Sequence, residues 1–267
     1  MGNRVEIVSG RALAATKRWA RYLAKFHAAR PGVTEQVLER AFAAHYTPYS
    51  WLARAVSSSA EQVLDLCCGS GHMNRELAQP GRTIIGLDLS EAELTKAAEQ
   101  AEGPWVLADA RDLPIADESM DVVVSTLGLA VVRPVQEFIS EAARVLKPGG
   151  VLVLTTPSLL PLNAIDLKTA ARISMILRSA PRFPGHVEVS ADALLRVNGL
   201  RKVESARERF RFAIHNRDDA ELLLSAMYLP HTSEKRIKAA ADYLVKQAQG
   251  RGVIEVPIPM RRIVAVK

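Results

Sequence analysis

Residues 63–71 read Val63-Leu64-Asp65-Leu66-Cys67-Cys68-Gly69-Ser70-Gly71, and the chain soon continues as Met73-Asn74-Arg75-Glu76-Leu77. A short apolar run of buried-strand type ends in a turn of small residues and passes into a helical pattern. Glycines placed after a parallel strand let the backbone approach a ligand closely. The helix behind them offers N–H groups that have no partner within the helix. The natural occupant of such a turn is a nucleotide-like molecule.

Working outward, a second strand over residues 82–87 ends at Asp88, and Ser90 followed by Glu93 has the spacing of a helix-capping box. A third strand, Trp105-Val106-Leu107, leads into Asp109 and Ala110. Asp65, Asp88 and Asp109 thus stand at the ends of three successive strands. An open parallel sheet binds its ligand outside the carboxyl ends of its strands, so the three carboxylates are expected to converge on one crevice.

Four ordered segments now carry a resemblance: Asp65 to Gly71, the Asp88 strand end, Asp109-Ala-Arg-Asp-Leu-Pro-Ile-Ala-Asp-Glu-Ser-Met-Asp121-Val-Val-Val, and Ala143-Arg-Val-Leu-Lys-Pro-Gly-Gly150. Together they resemble the class I S-adenosylmethionine-dependent methyltransferase superfamily, most of all its branch that methylates small molecules. The resemblance spans about residues 60 to 156. It implies an α/β, Rossmann-like, seven-stranded and mostly parallel sheet with helices on both faces, a helical N-terminal extension and helical lid insertions. The implied cofactor is S-adenosyl-L-methionine. By the same resemblance, the loop from Cys67 through Gly69 to Gly71 passes beneath the methionine part, and Asp65 orders that loop or reaches the ammonium group through water. Asp88 binds the ribose hydroxyls, Asp109 accepts from the adenine amine, Ala110 offers its backbone N–H and Leu89 covers an adenine face. Thr126 and Tyr49 complete the implied set, a tyrosine from the N-terminal segment meeting the cofactor's carboxylate. Tyr46, Tyr49 and Trp51 are equally suited to packing that segment on the sheet. The family has glycine where this chain has Cys67, whose Cβ and thiol crowd the loop.

The 267 residues, 48% hydrophobic and 24% charged, are enough for one α/β core with additions. There is no uninterrupted apolar run of about 18 residues and no leader-like opening, so the expectation is a cytoplasmic protein without a membrane span. Cys67 and Cys68 are sequence neighbours and cannot bridge each other in the ordinary way, which leaves them as packing residues. No metal-ligand spacing is present.

Charge is distributed unevenly. Residues 1–62 hold nine Lys/Arg and four Asp/Glu, residues 63–156 seven and fourteen, and residues 157–267 nineteen and eleven. The basic flanks are either solvated helix faces or meet an anionic partner. Arg207, Arg209 and Arg211 alternate along a proposed sixth strand and should share one face, where acids, water or an anionic substrate must separate them.

Three regions follow: a helical cap over 1–60, a cofactor-binding half over 61–156, and a substrate-side half over 157–267 with helical insertions at 157–187 and 213–255. The last strand, residues 256–266, is expected to be antiparallel. Methyl transfer from a sulfonium is an in-line displacement in which the protein chiefly positions the reactants, with a base where the acceptor carries a proton. Candidate bases are His186, His215, His231 and Tyr228, all in the appendages. The expected activity is methylation of a small or lipid-like metabolite by a monomer or homodimer, and the basic flanks point to an acceptor that carries a carboxylate or phosphate. A nicotinamide-dependent oxidoreductase would need G-x-G-x-x-G, whose first and last glycine places are here Cys67 and His72. RNA or DNA as acceptor ranks lower. The Asn/Asp-Pro-Pro-aromatic turn of base-nitrogen methylases is replaced by Ser125-Thr126-Leu127-Gly128, and aromatic residues make up only 5% of the chain, too few for stacking platforms. A cofactor-binding protein with different or no catalysis is the remaining alternative.

Overall fold

The computed structural model describes residues 10–183 and 191–267. Its centre is a single sheet. The strands are β1 (Ala41–Phe42), β2 (Gln62–Leu66), β3 (Thr83–Asp88), β4 (Trp105–Leu107), β5 (Met120–Thr126), β6 (Leu146–Pro157), β7 (Arg201–Ile214) and β8 (Ile254–Val266). Their spatial order is β1-β7-β8-β6-β5-β2-β3-β4. The two-residue β1 joins the seven expected strands at the β7 edge. β8 runs antiparallel to both β6 and β7, as expected for the last strand. β2 pairs in parallel with β3 on one side and β5 on the other, so the winding of the chain reverses there and a crevice opens at the carboxyl ends.

The central strands are apolar at both parities, which sends greasy side chains to both faces of the sheet. On one face Leu64, Leu66, Leu87 and Val123 meet Phe138, Ile139 and Ala142 of α7 (Val135–Val145). On the other, Val63, Val122, Val124 and Val153 meet Trp51 and Leu52 of α3 (Pro48–Ala53) and Met73 of α4 (His72–Glu76). The remaining helices are α1 (Gly10–Ala29), α2 (Val33–Glu39), α5 (Glu91–Gln100), α6 (Gly128–Val131), α8 (Ala164–Leu177), α9 (Ala191–Val197), α10 (Arg217–Ser225) and α11 (Glu234–Arg251). Helices α8, α10 and α11 form a cluster of their own with Phe212 and Ile214 of β7. Among the described residues no helix is long and apolar enough to cross a membrane.

Local chemistry explains the element boundaries. Thr47 and Ser50 cap each other reciprocally with Pro48 at the first helical position, which starts α3. Thr34 lies inside α2, which is entered through Gly32 in the left-handed region (φ 75°). The chain leaves α2 directly into β1, where Phe42 is exposed. The Lys147-Pro-Gly-Gly turn proves structural: Lys147 Nζ is 2.6 Å from Asp121 Oδ1, while Asp121 Oδ2 accepts the N–H groups of Glu61 and Gln62. These contacts tie together the amino ends of three neighbouring strands, remote from the crevice.

The arginine stripe on β7 is neutralised by acids. Asp166 of α8, almost fully buried, lies 2.7 Å from Arg209 and 3.5 Å from Arg211, and Glu255 of β8 lies 3.4 Å from Arg211. Arg207 is also engaged.

Candidate active site

The site begins with the loop after β2. Cys67 (φ 61°), Gly69 (φ 54°) and Gly71 (φ 78°) all lie in the left-handed region, which folds the loop back over the strand ends. Asp88, at the end of β3, holds this loop against the entrance of α5. Its Oδ2 accepts from Gly69 N at 3.0 Å and its Oδ1 from Ser90 N at 2.9 Å. Burial pushes the Asp88 carboxyl above its ordinary range against those two bonds. The capping box expected at Ser90 is only half formed: Ser90 Oγ accepts from Glu93 N, but the Glu93 carboxylate turns elsewhere. It accepts from Gly32 N at 2.7 Å and lies 2.7 Å from His27 Nδ1.

A cavity of about 620 Å³ opens above the loop, within the size range of small-molecule sites. Cys67, Gly69, Asp88, Leu89, Asp109, Ala110 and Thr126 all border it. Leu89 is 66% exposed, an apolar surface placed to be covered by a flat ligand. Thr126 Oγ1 is buried without a partner. Asp109 reaches the cavity with its carboxylate clasped by Arg111, which holds it below the usual range, so its acceptor capacity is already shared.

Three of the expected cofactor residues stand apart from the cavity. Asp65 is buried beneath the loop, its carboxyl pushed well up by burial and by the neighbouring Asp88 and Glu35. Gly71 packs under the Trp105 ring, where any Cβ would collide. Tyr49 is a packing residue: its ring stacks on His72 with centroids 4.0 Å apart, because the Thr47 cap and Pro48 aim α3 down onto the sheet. Both thiols, Cys67 and Cys68, are pushed well up by burial and nearby carboxylates and are not activated nucleophiles.

The roof is α1. Trp19 Nε1 donates to Val131 O at 2.8 Å, pinning the helix to α6, and Leu229 N donates to Tyr22 Oη at 2.9 Å. His27 Nδ1 meets Glu93, and His27 Nε2 lies 3.3 Å from Tyr228 Oη. Trp19, Leu23, His27 and Tyr228 all border the cavity. Burial opposes charge on His27, but the bond and charge of Glu93, with Asp88 and Glu35, outweigh it and raise its pKa. Tyr228 is raised strongly by burial and by Glu35, so it keeps its proton and serves as a hydrogen-bond donor.

Among the other candidate bases, His215 is largely exposed beside Asp219 and His231 is exposed; neither borders the cavity. His186 lies outside the described residues. Of the two insertions, the second reaches the cavity through Tyr228, while α8 of the first packs on α11 and β8 and lends no lining residue. Sequence reasoning missed Trp19, His27 and Glu35. All three lie in the helical cap expected over 1–60, but nothing local to the sequence marks the face that docks on the crevice.

Residues 64–154 match the family model described as a methyltransferase domain. An uncharacterized methyltransferase of Synechocystis is 40% identical over 100 residues, covering 36% of this chain and 47% of that protein. The malonyl-[acyl-carrier protein] O-methyltransferase of Pectobacterium atrosepticum is 37% identical over 106 residues, covering 39% of this chain and 42% of that protein. The chain thus spans less than half the length of these curated relatives. The crystal structure of the BH2331 protein of Bacillus halodurans superposes with a TM-score of 0.58 at 20% identity, covering 82% of this chain and 98% of the other.

Residues 64–154 form a class I S-adenosylmethionine-dependent methyltransferase domain. In that domain the Asp88 carboxylate, the exposed Leu89 and the unpartnered Thr126 hydroxyl fit the cofactor. Each Asp88 oxygen accepts one backbone N–H and retains a lone pair for a ribose hydroxyl, and Leu89 supplies an apolar face for the base. Gly69 has no Cβ, and the space one would take is filled by Glu35 Oε1, which lies over the loop. Only Cys67 departs from the glycine usual in this domain, and its side chain turns towards Gly128, where a Cβ would lie 2.9 Å from Cys67 Cβ and 3.0 Å from Sγ.

Proposed function

We propose that this chain transfers the methyl group of S-adenosylmethionine to a small or lipid-like acceptor bound under α1. The observation that carries the reading is the roofed crevice itself. Its floor carries the Asp88, Leu89 and Thr126 set, and its far wall is the mostly apolar surface of Trp19, Leu23, Val131 and Tyr228. When bound, the cofactor supplies an electrophilic methyl group, and the chain's contribution is position and exclusion of water. Asp88 orients the ribose. The α1 roof, fixed at Trp19, Tyr22 and His27, closes the crevice over the reacting end. Tyr228 holds a proton that can be donated to an acceptor oxygen or nitrogen and orient it.

A crevice of this size, roofed by α1, supports a small acceptor over a folded nucleic acid. The case for an anionic acceptor loses its main support, because Asp166 and Glu255 neutralise Arg209 and Arg211. Around the cavity Glu35, Asp88, Glu91 and Asp109 outnumber His27 and Arg133. A neutral, partly apolar acceptor suits that lining best. The test is transfer of an isotopically labelled methyl group from the cofactor to a panel of small metabolites, carrier-bound acyl groups and RNA. Label appearing only in RNA, or cofactor binding with no transfer to any extract fraction, would overturn the proposal.

A further inference from the structure

Glu35 is the buried group for which the catalytic reading has no use. It lies in the first turn of α2, is 9% exposed and borders the crevice. Its Oε1 accepts from Ser70 N at 3.1 Å and stands directly over Gly69, where a Cβ would overlap it. Its Oε2 is buried and has no hydrogen-bond partner. A buried acceptor left unpaired is costly, more so when it is charged, so the site calls for a cationic donor.

The neighbours intensify that demand. Glu93 faces Glu35 from α5, Asp65 from β2, Tyr49 from α3 and Tyr228 from the α10–α11 link, while His27 of α1 supplies a counter-charge. His27 is committed to Glu93 at 2.7 Å. Burial first, then the charge of Glu93, pushes the Glu35 carboxyl up to about 7.

We propose that Glu35 is the receptor for the α-ammonium group of the cofactor's amino-acid end, and that filling this subsite requires Glu35 to give up a proton. The proposal rests on the cofactor reading above. The ammonium donates to Oε2 and completes it, while Oε1 continues to hold Ser70 N and so keeps the loop in place. Asp65, buried away from the cavity, is left to support the loop from below. A positive charge on the ligand also offsets the cluster of carboxylates, which neutral adenosine fragments cannot do.

The linkage has a definite sign. In the ligand-free crevice Glu35 is largely protonated below about pH 7 and must ionise to bind an ammonium. Affinity for S-adenosylmethionine should therefore rise as pH increases through about 7, approaching a tenfold loss per unit on the acid side, and hold until the ligand's own ammonium loses its proton in the alkaline range. The experiment is calorimetric titration of the ligand-free protein with S-adenosylmethionine and with 5′-methylthioadenosine, which lacks the amino-acid end. It is run at several pH values and in two buffers of different ionisation enthalpy. For the wild type we expect proton release with the first ligand and none with the second. Glu35→Gln retains the acceptor for Ser70 N and removes a carboxyl that burial disfavours when ionised, so it should fold. It should bind S-adenosylmethionine at least tenfold more weakly and without the pH dependence, with 5′-methylthioadenosine unaffected. Equal weakening of both ligands, or no proton release by the wild type, would overturn the subsite. Failure of the wild type to bind either ligand would instead strike down the cofactor reading on which it rests.

Discussion

Cys67 is the one place where the nucleotide loop violates its own backbone requirement. Its φ of 61° lies in the left-handed region, which costs a residue with a Cβ about 1–2 kcal/mol. Replacing it with glycine relieves that strain but returns about 0.5–1 kcal/mol to the unfolded chain as entropy. It also removes a thiol from its contact with Gly128. Comparing Cys67→Gly with Cys67→Ala cancels the thiol and leaves the backbone effect alone. Glycine is then expected to be the more stable of the two by about 1 kcal/mol, about 2–4 °C in melting temperature for a chain approaching this size. The two positions are also coupled: a Cβ at Gly128 would meet Cys67 Cβ and Sγ at 2.9 and 3.0 Å. Gly128→Ala should therefore be less damaging in the Cys67→Gly background, with a coupling of about 0.5–1 kcal/mol. Differential scanning calorimetry of the ligand-free variants measures both quantities. An alanine variant as stable as the glycine variant, with strictly additive effects at 128, would refute the assignment of strain to Cys67.

Asp88→Ala should weaken cofactor binding by about 1.5–3 kcal/mol, since it removes a charged acceptor and unties Gly69 from Ser90; calorimetric titration at fixed pH reads this directly, and unchanged affinity would place the ribose elsewhere. Asp166→Ala should destabilise the fold by about 3 kcal/mol, because it leaves Arg209 and Arg211 facing each other without their shared acid, yet leave cofactor affinity intact; a large loss of affinity with an unchanged melt would contradict a structural role. His27 has a folded pKa above its ordinary 6.5, so its ion pair with Glu93 contributes stability that is complete below pH 6.5 and fades as pH rises through the folded value. His27→Gln should accordingly lower the melting temperature more at pH 6 than at pH 9, and an equal effect at both would show that the imidazole is not charged there.

The cofactor half was legible because its signals are local. Residues 63–71 needed only the parity of a buried strand and the small residues of a left-handed loop, and Asp88 needed only its place at a strand end. The last, antiparallel strand, expected over residues 256–266, forms over Ile254–Val266. Where two readings were locally equivalent, the sequence left them open. Tyr49 had the composition of a ligand-binding tyrosine and of a packing one, and only the direction in which Thr47 and Pro48 launch α3 settles its ring against His72. Glu93 had the spacing of a capping box, but Asp88 reaches Ser90 N first and frees the Glu93 carboxylate for His27, 66 residues earlier.

By itself, then, the sequence determined the parallel strands of residues 62–107 and the small-residue loop after the first of them, since periodicity, glycine conformation and strand-end carboxylates act over a few residues. Tertiary structure alone decided which residues of the helical N-terminal cap face the crevice and with what charge. The roof on α1, the buried Glu35 with its unfilled oxygen, the proton-holding Tyr228 and the Asp166 that silences the arginine stripe all depend on contacts between segments distant in the chain. Burial and the charges those contacts bring together set the protonation of each group, and neither is encoded in any one stretch of residues.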